Sequence, residues 1–591
     1  MTCPQTIDPH LPKTQQPNAL LTRSDGDRHF PIWFRWESWT GTIAIMLSVL
    51  AGPWVLPDLD GTANEFRGVL VQGLMTVRIA SLLIVLLSFL SYLFQADRSE
   101  SLTDSDSFKA SSYDRWTLLG ILSLSALLAL PRLGTSLWWD ELGTLTRVVN
   151  RGPLVIMTFS CQANNHLLNS CLCWIARAFP WDIEVNVHLL PFCFLIATIT
   201  TVYWTLRPLA TFRAALLAAF AVATHPTLVT HGVEARGYSG AIFFSALAVA
   251  ISSGRFRRHW LNQSTAYVIA NVAGIGFILT TVLVPFSHGI LAIWRCVSST
   301  SRKPVASALL SRPWSLMLAS LWTGGLALLM YGLLLPQIAK YSSTAATHDH
   351  LMLGRALLMQ TTLYLTGMHS LFPAIGLLML SAFGWKAAFC HPRLGGLREY
   401  AVASLVPLIA VAIYLFCPGT SSSARFFCFL IVPTCCGIGI GLDRLLRHSS
   451  GTRLLAGLIC LLWGSQLTGE HFRLLTINRP NLKQLAAELQ GADIVMMGPQ
   501  SDSNRFYFPD ARVYRNVDDA EALLMASDRP PIIIEGRASV ENHLTTPDPV
   551  LQRIGYRIDQ TLPSAVPNEV EFIVYRWSLD NEVMPNEHAS F

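Results

Sequence analysis

The sequence predicts a mostly α, polytopic transmembrane helical bundle carrying a C-terminal soluble α/β domain, and three observations predict it. Of 591 residues, 51% are hydrophobic and only 14% charged, against about 25% charged in ordinary soluble domains. So little charge cannot cover a soluble protein of this length. Apolar runs close to the ~20 residues that a helix needs to cross hydrocarbon recur from residue 39 to 470. Beyond residue 480, short helical and strand patterns alternate instead, as in small α/β units.

Apolar spans are expected near 39–57, 69–94, 115–133, 185–206, 212–224, 238–254, 264–282, 283–297, 313–336, 372–390, 399–417, 424–442 and 453–470. That makes about 11–13 crossings, several of them short of full length, with 264–297 read as a tight hairpin. Positive charge orders them, because cytoplasmic loops carry the excess Lys and Arg. Arg207 and Arg213 form one cluster, and Arg255, Arg257 and Arg258 a second. Arg295, Arg302, Lys303 and Arg312 form the third, and Lys386, Arg393 and Arg398 the fourth. Arg444, Arg447 and Arg453 complete the set. All share one side if the spans alternate as given and 163–180 and 352–370 do not cross. The opposite side then receives 134–184, 224–237, 337–371, 418–423 and everything after 470.

The expected domains are a disordered cytoplasmic tail (1–38), two extra spans with a linker (39–114), and the main transmembrane unit (115–470). The last carries loop helices over 137–151 and 163–180. An extracytoplasmic α/β domain fills 471–591, with helices at LKQLAAEL and AEALLMA and strands at ADIVMMG, ARVYR, PPIIIEG and VEFIVYR. It has no Gly-rich phosphate loop and reads as a packing or acceptor-docking module. The N-terminus shows no signal-peptide pattern.

Net charge is +5 without a Lys/Arg block or a basic-aromatic stripe, which argues against nucleic acid. The 12 cysteines are scattered, many inside apolar runs. None has zinc-like spacing, so they read as small buried hydrophobes.

The chemistry gathers in the loops of one side. In TSLWWDELGTLTRVV, a helix over 138–151 places Trp138, Leu142, Leu145 and Val149 on one stripe and Asp140, Thr144, Arg147 and Arg151 opposite, with Glu141 at the border. It reads as an interfacial helix whose polar face looks into a wet cavity; merely solvated acids are the bland alternative. In CQANNHLLNSCLCWIARAF, Asn165, His166, Asn169 and Ser170 share one helical face. They line a cavity, or Asn165 caps a helix end. In HPTLVTHGVEARGYSG, Glu234, Arg236 and Tyr238 alternate where the chain re-enters the membrane. An arginine at that depth is a functional hypothesis by default, and a local Glu234–Arg236 pair would serve structure alone. His288, Lys340 and Arg425 complete the group. Arg425 has no acid near it in sequence, so an external anion is an attractive partner. Lys340 equally reads as a snorkelling interfacial lysine, and His288 as a satisfied buried histidine. Together these residues suit group transfer from a lipid-linked phosphate. A carboxylate takes the acceptor's proton, and guanidinium groups stabilise the departing phosphate.

At these places the chain resembles the integral-membrane GT-C glycosyltransferases. The likeness is to the glycosyltransferase family 39-like group, which contains protein O-mannosyltransferases and lipid A aminoarabinose transferases. LWWDE, NNHLLN, HP…EARGYS and the α/β tail carry it, over roughly 115–591. The resemblance implies a GT-C-type bundle, a polyprenyl-phosphate sugar donor and an extracytoplasmic acceptor (lipid, glycan or protein). It implies Asp140 as base, Glu141 as its support, and Arg236, Arg425 and Lys340 as candidates for the carrier phosphate. Asn165, His166, Asn169, Glu234, Tyr238 and His288 would line the cavity. His166 falls where many members carry His-Pro or Pro-Pro, whereas Leu167 follows it here. No third carboxylate is in step with the acid pair, so neither metal nor cofactor is expected. A bacterial inner membrane is the expected host, in the absence of a retention or glycosylation pattern. The rival reading is a transporter or flippase of an anionic lipid headgroup. Transporters often carry inverted repeats, and none is detectable in the sequence.

Overall fold

The computed structural model describes residues 63–93, 111–159, 165–253, 263–298, 313–339, 350–390, 395–415, 424–476, 482–497, 506–514, 524, 530–538, 551, 556–562 and 570–577. The expected first span, 39–57, lies outside them, as does Lys340. The helices run α1 (Ala63–Leu93), α2 (Ser112–Ala129), α3 (Trp139–Arg147), α4 (Pro153–Thr158), α5 (Leu167–Ala176) and α6 (Ile183–Leu206). They continue as α7 (Phe212–Thr224), α8 (Pro226–His231), α9 (Tyr238–Ser252), α10 (Gln263–Phe277), α11 (Leu283–Ser298) and α12 (Pro313–Tyr331). The series ends with α13 (His350–Thr366), α14 (Leu371–Cys390), α15 (Gly395–Leu415), α16 (Ile431–Arg447), α17 (Ser450–Thr476) and α18 (Leu482–Glu488).

Among the described residues, six stretches are long and apolar enough to cross a membrane: Ser112–Arg132, Ile183–Leu206, Leu279–Ser298, Leu371–Cys390, Gly396–Ile413 and Ala424–Arg447. Shorter apolar helices include Phe212–Thr224 and Tyr238–Ser252. The chain is thus a multi-pass, mostly helical membrane protein. Among the described spans the most deeply buried is that ending in α16, which packs tightly against α7 and α14.

Glycine makes that packing possible. A Cβ on Gly384 of α14 would strike the Gly437 carbonyl of α16, and one on Gly439 would strike the backbone of Ala218 in α7. Gly441 meets the Leu380 carbonyl in the same way. Where apolar lipid leaves no hydrophobic drive between helices, such close approach supplies the attraction. Gly384→Ala is therefore expected to destabilise the chain by about 1–3 kcal/mol. Gly376→Ala on the same helix, where an added Cβ meets nothing within 4 Å, is expected to be neutral or mildly stabilising. Thermal unfolding of the two variants side by side checks this.

The C-terminal region forms a five-stranded mixed sheet of β1 (Ile494–Met497), β2 (Arg512–Tyr514), β3 (Ile532–Ala538), β4 (Tyr556–Leu562) and β5 (Val570–Trp577), in the order β2-β1-β3-β5-β4. β1 is parallel to β2 and β3, whereas β5 is antiparallel to β3 and β4. The strands expected at ADIVMMG, ARVYR, PPIIIEG and VEFIVYR are present, together with a fifth at YRIDQTL. Its alternation is broken by a register shift between Ile558 and Gln560, which blurs the period-2 signal in sequence. Of AEALLMA only Leu524 is described.

Alternate residues of β1 serve opposite faces, as the pleat requires. Val495 and Met497 pack with Ile533, Ile573 and Tyr575. Ile494 and Met496 pack with Ile534, Val574 and the Leu482, Leu485 and Leu489 side of α18. That second cluster also contains Leu137, Leu142, Leu145 and Val149. The apolar stripe expected at the lipid interface is therefore covered by the C-terminal sheet and α18. A stripe of this width buries as well against protein as against lipid, and the sequence pattern does not distinguish the two.

Candidate active site

The site is assembled from the first turn of α3, the link between α8 and α9, the start of α5 and the start of the 3₁₀ segment Ala424–Leu430. Asp140 and Glu141 occupy the N-terminal turn of α3, where unpaired backbone N–H groups favour negative charge. Both are buried, whereas Arg147 and Arg151 of the expected polar face are half-buried and exposed.

Glu141 acts as a strut. Its Oε2 accepts from the Trp138 N–H at 3.0 Å, and its Oε1 accepts from the Ala235 N–H at 2.5 Å. His188 Nε2 lies 3.4 Å from the same Oε1. The carboxylate thereby ties α3 to the link that carries Arg236. Asn169 secures the link from its other side, donating from Nδ2 to the Ala235 carbonyl at 2.9 Å.

Asp140 faces two guanidinium groups. Arg236 Nη1 donates to Asp140 Oδ2, and Arg425 Nη1 stands 3.6 Å from the same oxygen. The two arginines differ in access: the Arg236 side chain is 3% exposed and that of Arg425 is 38% exposed. Arg236 is also held by aromatic faces, with its guanidinium carbon 5.3 Å from the Trp138 ring and 5.0 Å from the Tyr238 ring, within cation–π range. Burial opposes its charge, but Tyr238, Asp140, Glu234 and Glu141 outweigh that and hold it above the ordinary arginine value.

His166 caps the site from α5, accepting from Arg236 Nη2 at 3.4 Å. Burial, then the positive charges of Arg236 and Arg425, hold this imidazole well below its usual range. That lowering favours the neutral ring, which is what a hydrogen-bond acceptor toward a guanidinium must be. Gly237 permits this approach, since a Cβ there would strike the Phe277 carbonyl and the His166 Cβ.

Tyr238 lies between His166, edge-on at 5.5 Å, and His231, stacked at 4.4 Å. Its buried hydroxyl has no hydrogen-bond partner among the described residues. Glu234 pairs with His231 Nδ1 at 2.8 Å, and His231 Nε2 meets the Tyr364 hydroxyl at 2.7 Å. Tyr364 also donates to the Arg425 carbonyl at 3.4 Å. Arg236 thus donates to Asp140, while Glu234 pairs with His231 and also adds to the negative charge acting on Arg236.

Asp140, Glu141, His166, Asn169, Glu234, Arg236, Tyr238 and Arg425 are therefore brought together. Asn165 is not at the charge cluster. It donates to the carbonyls of Ile156 and Phe159 at 2.8 Å and accepts from Ser170, tying the start of α5 to the end of α4. His288 is held elsewhere in the bundle, between the Tyr267 hydroxyl at 2.7 Å and the Ala403 carbonyl at 2.8 Å. His188, His231 and Tyr364 were not singled out in the sequence. A signal existed for His188, a polar side chain inside an otherwise apolar span. Tyr364 joins only through tertiary packing. Among the described residues, no three His, Cys, Asp or Glu side chains converge as a metal-holding group.

No protein-family model and no curated protein matches the chain. Solved structures do. ArnT from Cupriavidus metallidurans in the apo state is 12% identical with a TM-score of 0.48, covering 78% of this chain and 98% of that one. The same protein bound to undecaprenyl phosphate gives 12% identity and a TM-score of 0.48, covering 79% and 98%. AglB, the archaeal oligosaccharyltransferase from Archaeoglobus fulgidus, in complex with an inhibitory peptide and a dolichol-phosphate, is 11% identical with a TM-score of 0.42, covering 72% and 69%.

Proposed function

We propose that the chain is a membrane glycosyltransferase that moves a sugar from a polyprenyl-phosphate donor to an acceptor (lipid, glycan or protein) on the extracytoplasmic side. A bacterial inner membrane is the proposed host, with the C-terminal domain outside the cytoplasm. The observation that carries this reading is one buried carboxylate, Asp140, facing two guanidinium groups of unequal exposure. An incoming phosphate meets the exposed Arg425 first and competes with Asp140 for its N–H donors, then for those of Arg236.

The chemistry follows from that exchange. Once phosphate oxygens occupy the guanidinium donors, the Asp140 carboxylate is released to accept a proton from the acceptor hydroxyl or amine. The acceptor atom bonds to the anomeric carbon as the bond from that carbon to the phosphate oxygen breaks. The electron pair leaves on the phosphate, where Arg236 and Arg425 stabilise it. The Tyr238 hydroxyl, buried beside Arg236, is placed to donate to the same anion. Glu141, bound to two backbone N–H groups, holds Asp140 in register.

Incubating the purified chain in detergent with a panel of undecaprenyl-phosphate-linked sugars and an acceptor extract tests the reading. Release of free undecaprenyl phosphate is expected with at least one member. A flippase releases none in detergent, and the absence of release across hexose, pentose and amino-sugar donors contradicts the proposal.

A further inference from the structure

We propose that the C-terminal domain is a positioning part of the transfer site, and that Tyr507 is the residue through which it acts. This rests on the reading of Asp140 as the acceptor's base. The Tyr507 hydroxyl accepts from the Leu137 N–H at 2.8 Å and donates to Glu184 Oε1 at 3.1 Å. Leu137 lies three residues before Asp140, where the chain turns into α3, and Glu184 sits in the first turn of α6. One phenol therefore bridges the start of the acid-bearing helix to the start of a long span.

Lys483 makes the same connection. Its Nζ reaches Asp182 Oδ2 at 2.9 Å and Glu184 Oε2 at 3.4 Å, while its backbone N–H donates to Ser136 Oγ at 3.3 Å. The hydrogen bond to Asp182 leads the effects that raise the Lys483 ammonium above its ordinary range. Beneath these polar contacts, Leu142, Leu145 and Val149 lie against Leu482, Leu485 and Met496 in one apolar cluster. The helix that carries Asp140 is thus packed on the C-terminal domain on its apolar side and against Arg236 on its polar side.

Glu184 and His188 are one turn apart on α6 and lie on one face. His188 approaches Glu141 while its Nδ1 meets the Leu133 carbonyl at 2.9 Å. Tyr507 therefore ties the start of α3 to α6, His188 stands beside Glu141 one turn further along α6, and Asp140 lies in sequence between Leu137 and Glu141. A base displaced by about 1 Å loses about a hundredfold in rate, so loosening this bridge must show in turnover. Donor binding, which depends on Arg425 and Arg236, is not expected to change with it.

The experiment uses the full chain in detergent with the undecaprenyl-phosphate-linked sugar that wild type turns over. Tyr507→Phe is expected to lower kcat by about 10- to 100-fold with KM for that lipid nearly unchanged. Hydrogen exchange is expected to speed up in 137–147 and not in 238–252. Unchanged turnover, a loss confined to KM, or a uniform rise in exchange overturns the proposal. If Tyr507→Phe does not fold, Glu184→Gln replaces it. That variant keeps an oxygen for Tyr507 and loses the charge facing Lys483, and a smaller loss in kcat alone is expected; no such loss overturns the proposal. Asp140→Asn run in parallel separates the two readings. Turnover retained there removes Asp140 as base, whereas an inactive Asp140→Asn beside a fully active Tyr507→Phe removes only the role of Tyr507.

Discussion

Asp140→Asn is expected to insert and keep its fold, with some loss of stability from the buried Arg236 charge left behind, to lose transfer by about 10²- to 10⁴-fold, and to bind undecaprenyl phosphate at least as tightly as wild type. The combination is diagnostic because its parts point in opposite directions. Asparagine is nearly isosteric and still accepts hydrogen bonds, so the geometry around Arg236 survives. It cannot take a proton at neutral pH, so the acceptor stays unactivated. Removing the negative charge also removes the internal competitor for Arg236 and Arg425, both of which face the same Asp140 oxygen. Measured turnover and lipid binding in one preparation check the prediction. Activity near wild type removes Asp140 from the base role, and weakened phosphate binding contradicts the competition argument.

Arg236→Met carries the second large effect, on stability as well as on activity. The pair it breaks is sealed, with the two side chains 3% and 1% exposed. Removing one member of such a pair costs about 3–5 kcal/mol, because the other charge is left buried with too little compensation. Arg425, 3.6 Å away and partly exposed, offsets only part of that. Substituting Asp140→Leu in the same chain removes the orphaned charge and is expected to restore most of the lost stability while leaving transfer abolished. Thermal unfolding of both variants measures the difference. A single variant as stable as wild type means that the Asp140–Arg236 contact contributes little.

Much of this was legible in the sequence, for definite reasons. Apolar runs of membrane length announced α2, α6, α14 and α15 to within about four residues at each end, because the bilayer allows few other solutions. Arginine beside the membrane at position 236, and an acid pair at 140–141, stood out because each is costly there without a partner. What sequence could not supply was the pairing itself. Glu234, two residues from Arg236, was the obvious partner by proximity, but the bond of Arg236 to Asp140, from 96 positions away, is tertiary, and Glu234 also bonds to His231. The apolar stripe of α3 was visible, but nothing in its period told whether lipid or the C-terminal sheet would cover it. Asn165 was expected to line a cavity or cap a helix end; its bonds to the Ile156 and Phe159 carbonyls come from tertiary packing that sequence spacing does not show. The weak strand β4 was lost where its register shifts.

The account stands most directly on phosphate reaching the two guanidinium groups beside Asp140. Titrating undecaprenyl phosphate into the purified chain in nanodiscs, with wild type, Arg425→Gln and the surface control Arg576→Gln compared, measures it. The expected result is saturable binding by wild type and the control, weakened at least about tenfold in Arg425→Gln through loss of a charge-assisted contact. Equal binding by all three, or none by wild type, contradicts the account.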